Sequence, residues 1–145
     1  MNVPGASRTW AYGINDVGQI VGAYSDGGTA SHGFIFQNGN YTTLDRPSFA
    51  STGFLRINNA GQITGFSNEN IGSPSAAFLL DPGTFTEFNV PGSTVTIGQR
   101  LTSSGTVMVQ AGGIGSFLFD AGVYSPLLSP QFEAFDINDS GQVLV

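Results

Sequence analysis

Short apolar runs separated by Gly, Asn, Asp and Ser recur along the whole chain, and four of them make up a unit that repeats. In the first unit the pattern predicts strand a over Trp10 to Asn15, strand b over Gln19 to Tyr24, strand c over Gly33 to Phe36 and strand d over Tyr41 to Leu44. Asp16-Val17-Gly18 joins a to b, as expected of a three-residue hairpin with a left-handed glycine and a bulge. The polar, Gly-rich stretch Ser25 to Ser31 joins b to c. Asn38-Gly39 joins c to d and supplies two central positions that tolerate positive φ. Strand c is apolar on successive residues, Phe34-Ile35-Phe36, which predicts burial on both faces.

The unit returns. Gly13-Ile14-Asn15-Asp16-Val17-Gly18-Gln19-Ile20-Val21-Gly22 aligns with Arg56-Ile57-Asn58-Asn59-Ala60-Gly61-Gln62-Ile63-Thr64-Gly65. A degraded copy runs from Arg100 to Val109 and a further one from Asp136 to Val145. The turn glycines Gly18, Gly61, Gly105 and Gly141 are spaced by 43, 44 and 36 residues. Phe34-Ile35-Phe36 aligns with Phe78-Leu79-Leu80 and Phe117-Leu118-Phe119, and Asn2-Val3-Pro4-Gly5 with Asn89-Val90-Pro91-Gly92. The chain therefore reads as one all-β domain, 1–145, with units at 10–52, 53–95 and 96–131 and a partial unit at 132–145. Four strands in a period of about 40 to 45 residues is the size of a β-propeller blade. That predicts about three and a half blades per chain; the rival fold is a β-sandwich. An open stack leaves apolar faces and strand edges in water. Either the chain is a fragment of a longer protein, or two copies join head to tail as a homodimer that closes seven blades.

Composition agrees with strands: 21 Gly and 12 Phe against only 10% charged residues disfavour long helices. The net charge is −6, and Arg8, Arg46, Arg56 and Arg100 are the only basic residues. Four scattered arginines do not make a phosphate-binding surface, so nucleic acid is not an expected partner. The absence of Cys removes disulfides, thiolate metal sites and Cys nucleophiles. No apolar run reaches the roughly 20 residues of a membrane span, and the residues after Met1 do not read as a signal peptide.

The motif Gly-Ile-Asn-x-x-Gly-Gln-x-x-Gly at Gly13 to Gly22, followed by His32-Gly33-Phe34, resembles the HAF-type extracellular repeat of bacteria, and the resemblance spans nearly the whole chain. His32 gives way to Ala76 and Gly115 in the next two units, and the third unit lacks the motif's Asn and Gln. The resemblance implies a propeller-like repeat fold and an extracellular or cell-surface location, and no reaction.

In a propeller the d–a and b–c loops share one face and the a–b and c–d turns the other. Asp26, Asp45, Glu69 and Glu133 fall on the loop face. Asp16, Asp81, Asp120 and Asp139 fall in tight turns, where carboxylates are expected to cap their own backbone. The loop face also carries Arg8, Trp10, Tyr24, His32, Arg46, Asn68 and Asn70, an aromatic and polar mixture suited to a glycan or a protein ligand. A glycoside hydrolase would need two carboxyl groups flanking the scissile bond, for which Asp26, Asp45 and Glu69 are the candidates. His32 is the only His, so no His-rich metal site and no cofactor is expected, and no Gly-x-Ser-x-Gly elbow accompanies it. In strand a the column Gly13, Arg56, Arg100, Asp136 would line a channel; its arginines could bind an anion or pair with Asp136. Were the Arg100–Asp136 pair buried, removing one partner would cost about 3–5 kcal/mol. The leading expectation is an exported binding or scaffold module. A glycosidase and a structural segment of a larger surface protein are the alternatives.

Overall fold

A computed structural model of the chain describes residues 1–69, 75–127 and 133–145. The protein is all-β, with three four-stranded antiparallel sheets and a two-stranded one. The first sheet is β1 (Arg8–Ile14), β2 (Ile20–Ser25), β3 (His32–Gln37) and β4 (Asn40–Thr43). The second is β5 (Ser51–Ile57), β6 (Ile63–Asn68), β7 (Ala76–Asp81) and β8 (Thr84–Phe88). The third is β9 (Thr96–Leu101), β10 (Val107–Ala111), β11 (Gly115–Asp120) and β12 (Val123–Pro126). The hairpin β13 (Asp136–Ile137) and β14 (Val143–Leu144) follows. Within each sheet the strands lie in chain order, so every sheet is one repeat unit and the expected strands a to d are found within a residue or two of their ends. Among the described residues no helix is long and apolar enough to cross a membrane.

The sheets stack. Strand β5 packs on β1, β2 and β3, β9 packs on β5, β6 and β7, and β13 packs on β9. The alternation along β7 shows how the middle sheet uses both faces. Phe78 and Leu80 join Val21, Ile35, Phe54, Ile57 and Ile63 in the core shared with the first sheet. Ala77 and Leu79 join Phe88, Val90, Val107, Val109 and Phe119 in the core shared with the third. Two-sided burial of strand c is thus met in the middle sheet, because successive side chains point to opposite faces. The first core is fixed by edge-on contacts of the Phe78 ring with Phe54 and Phe85 at 6.1 and 5.1 Å; in the second, Phe88 stacks on Phe119 at 5.0 Å.

Two features of strand b explain its glycines. Gly22 pairs with Phe34, and Gly65 with Phe78. A Cβ at either glycine would collide with both the opposite phenyl ring and the backbone of strand a, so the bare glycine lets the ring lie across the sheet. Val109 stands in the same place opposite Phe117 in the third sheet, and Phe117 is correspondingly less buried than Phe34 or Phe78. A register shift recurs in strand a, between Ala11 and Gly13 in β1 and between Phe54 and Arg56 in β5, and opposite Met108 and Val109 in the third sheet. This mid-strand bulge was not expected from the sequence.

The a–b turns join the sheets to one another. Gly18, Gly61, Gly105 and Gly141 all adopt φ between 78° and 92°, a conformation that side-chain-bearing residues rarely take. The asparagine three residues earlier clasps its turn. Asn15 Oδ1 accepts the Gln19 N–H at 2.9 Å and its Nδ2 donates to Gln19 Oε1 at 2.7 Å; Asn58 with Gln62, and Asn138 with Gln142, repeat this. Asn15 Nδ2 also donates to the Asn58 carbonyl at 3.1 Å, and Asn58 Nδ2 to the Thr102 carbonyl at 3.0 Å. Asn15 and Asn58 therefore each close their own hairpin and reach into the next sheet. Asn58 is buried, so replacing it strands donors and acceptors away from water. Asn58→Ala is expected to lower stability by about 1–3 kcal/mol, read from the urea midpoint at unchanged slope.

Candidate functional site

The b–c loops and the d–a connections lie at the end of the stack opposite the a–b turns. There a cleft of about 530 Å³ opens between the second and third sheets. Its walls are Phe49 from the β4–β5 connection, Glu69, Ser75 and Ala76 around β6 and β7, Glu87 on β8, and Asn89 to Thr96 leading into β9. The last segment holds its course through its own bonds: Ser93 N–H donates to the Val90 carbonyl at 3.0 Å, and Val90 N–H to Thr96 Oγ1 at 3.2 Å. Val3 N–H bonds Thr9 Oγ1 in the same way at 3.1 Å, and Arg46 N–H bonds Thr52 Oγ1 at 2.9 Å, so all three connections, into β1, β5 and β9, share this bond.

Glu87 is fixed from two sides. Arg46 Nη2 reaches its Oε2 at 2.8 Å, and Asn89 Nδ2 its Oε1 at 2.6 Å. The Arg46 guanidinium also donates to Ser67 Oγ at 3.0 Å and lies 4.0 Å from the centre of the Phe49 ring, a cation–π arrangement. Its charge is thus spent on Glu87 and Phe49, and among the described residues no basic side chain lines the cleft. From the third sheet, Tyr124 approaches the same region; burial first, then the nearby Glu87 carboxylate, hold its phenol above the ordinary value, opposed by the Asn89 backbone.

The expected loop-face residues separate into distinct places. Glu69 lines the cleft, Arg46 supports it, and Asn68 Nδ2 donates to Ser75 Oγ at its edge at 3.2 Å. Asn70 lies outside the described residues. A second group sits on the first sheet: His32 Nδ1 and Asp45 Oδ2 are 2.8 Å apart, Asp45 also accepts the Gly33 N–H at 3.2 Å, and the Tyr24 ring is 5.1 Å from His32. Tyr24 bonds Thr43 through its hydroxyl at 3.0 Å. Asp26 caps its own loop by accepting the Gly28 N–H at 3.0 Å. Arg8 and Trp10 stand on β1 and are both exposed. Asp26, Asp45 and Glu69 accordingly occupy different surroundings, and Glu69 alone borders the cleft. Phe49, Glu87 and Asn89 were not anticipated; the only signal for them was the repeated Asn-Val-Pro-Gly.

In the strand-a column, Arg100 Nε donates to Asp136 Oδ1 at 2.8 Å, as the pairing expectation has it. Arg56 instead donates to the Tyr12 and Leu55 carbonyls at 3.2 and 2.8 Å. Burial, and then the neighbouring Arg100 charge, lower its pKa, with Asp136 acting the other way. Two of the four turn carboxylates depart from expectation. Asp16 accepts from Asn59 Nδ2 at 2.7 Å and Asp139 from the Ser103 N–H at 2.7 Å, so both bond a neighbouring unit and not their own backbone. Among the described residues no group of three or more His, Asp or Glu is placed to hold a metal ion.

The Arg100 and Asp136 side chains keep 35% and 53% of their exposure, so water screens the pair. Asp136→Ala is expected to cost about 0.2–1 kcal/mol in urea unfolding, well below the buried-pair figure. Ser103 holds the Asp139 carboxyl below its ordinary pKa. That contact is complete above the unfolded carboxyl's pKa of about 3.9 and is lost as the pH falls through the lowered value. Amide exchange in β13–β14 should accelerate in that acid range, and Asp139→Ala should remove the pH step.

Comparison with known proteins gives no assignment: no protein-family model matches the chain, and no curated protein matches it.

Proposed function

We propose that the chain is part of an exported repeat propeller that binds a neutral glycan in the cleft between its second and third sheets. The repeating stack of four-stranded sheets, each with strand a packed on the sheet before, supports the propeller reading. The chemistry of the cleft wall carries the ligand reading. Glu69 and Glu87 offer acceptors to sugar hydroxyls, Asn89, Ser75, Ser93 and Thr94 offer both donors and acceptors, and Phe49 offers an apolar surface for a sugar's CH face. With two carboxylates and no lining cation, the wall disfavours phosphate, sulfate and uronate groups. Glu87 is held in place before any ligand arrives by Arg46 and Asn89, which lowers the ordering cost of binding.

A protein ligand on the same loops is the nearest alternative. A glycosidase has less support, since the second cleft carboxylate, Glu87, is committed to an ion pair and an amide. A neutral-glycan array followed by calorimetry on the best ligand tests the reading. Glu69→Gln and Asn89→Ala should each weaken binding by about tenfold or more, the value of one hydrogen bond to a charged or well-placed polar group. Turnover of chromogenic glycosides that disappears in Glu69→Gln would replace binding by hydrolysis. Silence in both assays would leave the structural-segment reading standing.

A further inference from the structure

The inner sheets are covered on both faces, and the same two faces are bare at the ends of the stack. One column packs backward onto the preceding sheet: Ile57 is 7% exposed, Leu101 and Ile137 are half-buried, but Ile14 is 67% exposed. The opposite column packs forward: Val21 and Thr64 are fully buried and Met108 is 1% exposed, but Leu144 is 61% exposed. A groove of about 290 Å³ lined by Ala11, Tyr12, Gly13, Ile14 and Ile20 marks the first end. Another, of about 420 Å³, marks the hairpin β13–β14 and includes Asn138 and Leu144.

The hydrogen bonds are left open in a matching way. The Asn58 carbonyl accepts both its own Gly61 N–H and the Asn15 amide from the sheet before. Among the described residues the Asn15 carbonyl accepts only its own Gly18 N–H. At the other end Asn138 Nδ2 donates to Gln142 Oε1, and among the described residues its second hydrogen has no acceptor equivalent to the Asn58 and Thr102 carbonyls that Asn15 and Asn58 reach. One end thus carries the donor and the forward apolar residue, and the other carries the acceptor and the backward ones.

We propose that these two ends bind each other in different molecules, so that a second copy of this chain docks head to tail. Leu144 of one copy covers Ile14 and Ile20 of the other, and Asn138 donates to the Asn15 carbonyl, extending the contact that already joins the sheets within one chain. The interface is heterologous, with different patches on the two sides. Asp16 and Asp139 sit at the rims of these ends. Inside the chain Asp16 meets Asn59, and Asp139 meets Ser103, so each faces a neutral residue; across the junction two carboxylates approach. Association should therefore strengthen with salt. The inference is independent of what the loop-end cleft binds.

Light scattering on the intact chain across a concentration series at physiological salt tests it. The expected result is a species of twice the chain mass, in which two such junctions close a two-copy ring and leave no free end. Ile14→Glu and Leu144→Glu alter exposed side chains and should each give a folded monomer, with melting curves close to the parent's. An equimolar mixture of the two variants should regain a one-to-one complex, because one intact junction survives between the unaltered tail of the first and the unaltered head of the second. A parent chain that stays monomeric throughout overturns the proposal, as do variants that remain dimeric. Monomeric variants that fail to combine would point to a symmetric interface and overturn it equally.

Discussion

The structure depends on one repeated contact: an asparagine at the a–b turn that closes its own hairpin and donates to the backbone of the next. Other bonds also cross between sheets, among them Asp16 to Asn59 and Arg56 to the Tyr12 carbonyl, but this one recurs at the same place in successive units and is buried. The Asn15 and Asn58 amides set both the distance and the register between sheets. The motif's residues follow from that task. The left-handed glycine permits the tight turn, the glutamine takes the remaining amide hydrogen and supplies the N–H that the asparagine oxygen accepts, and the isoleucine before the asparagine packs on the preceding sheet where there is one. Thr102 substitutes for the asparagine in the third unit. Its hydroxyl still accepts the Thr106 N–H at 3.0 Å, but a hydroxyl has no amide arm to extend, and there the link onward is Ser103 to Asp139.

Stacking of this kind determines where a ligand site can form. At the turn end the asparagine contacts tie neighbouring units together. At the other end a cleft opens beside the β8–β9 connection. Arg46 is the principal fixed point there. It comes from the connection entering the second sheet and ties Ser67 and Glu87 of that sheet to Phe49. Its side chain is 13% exposed, and such a charge is tolerated because a carboxylate, a hydroxyl and a ring satisfy it together. Like charge is handled differently in the strand-a column. Burial, and then the nearby Arg100 charge, lower the Arg56 pKa; Arg56 turns to backbone carbonyls and Arg100 to Asp136.

Local patterns carried the strands, their order within each unit, the hairpin glycines and the two-sided burial of strand c, because these follow from side-chain alternation and turn chemistry over a few residues. The Arg100–Asp136 pair was legible from the repeat alignment, since aligned residues of adjacent units become neighbours in a stack. The mid-strand bulge had no local residue signal. The partners of Asp16 and Asp139 were misread because turn carboxylates usually bond within their turn, and here another turn lies within reach. The loop-end site was legible only as a face. Glu69 and Arg46 belonged to the expected set, while Glu87, Asn89 and Phe49 join them only because three connections from different units converge. Sequence alone determined the repeating unit and its strands through short-range stereochemistry. Beyond the aligned Arg100–Asp136 pair, tertiary structure decided which side chains meet across sheets, because those distances depend on how whole sheets pack and on no nearby residue.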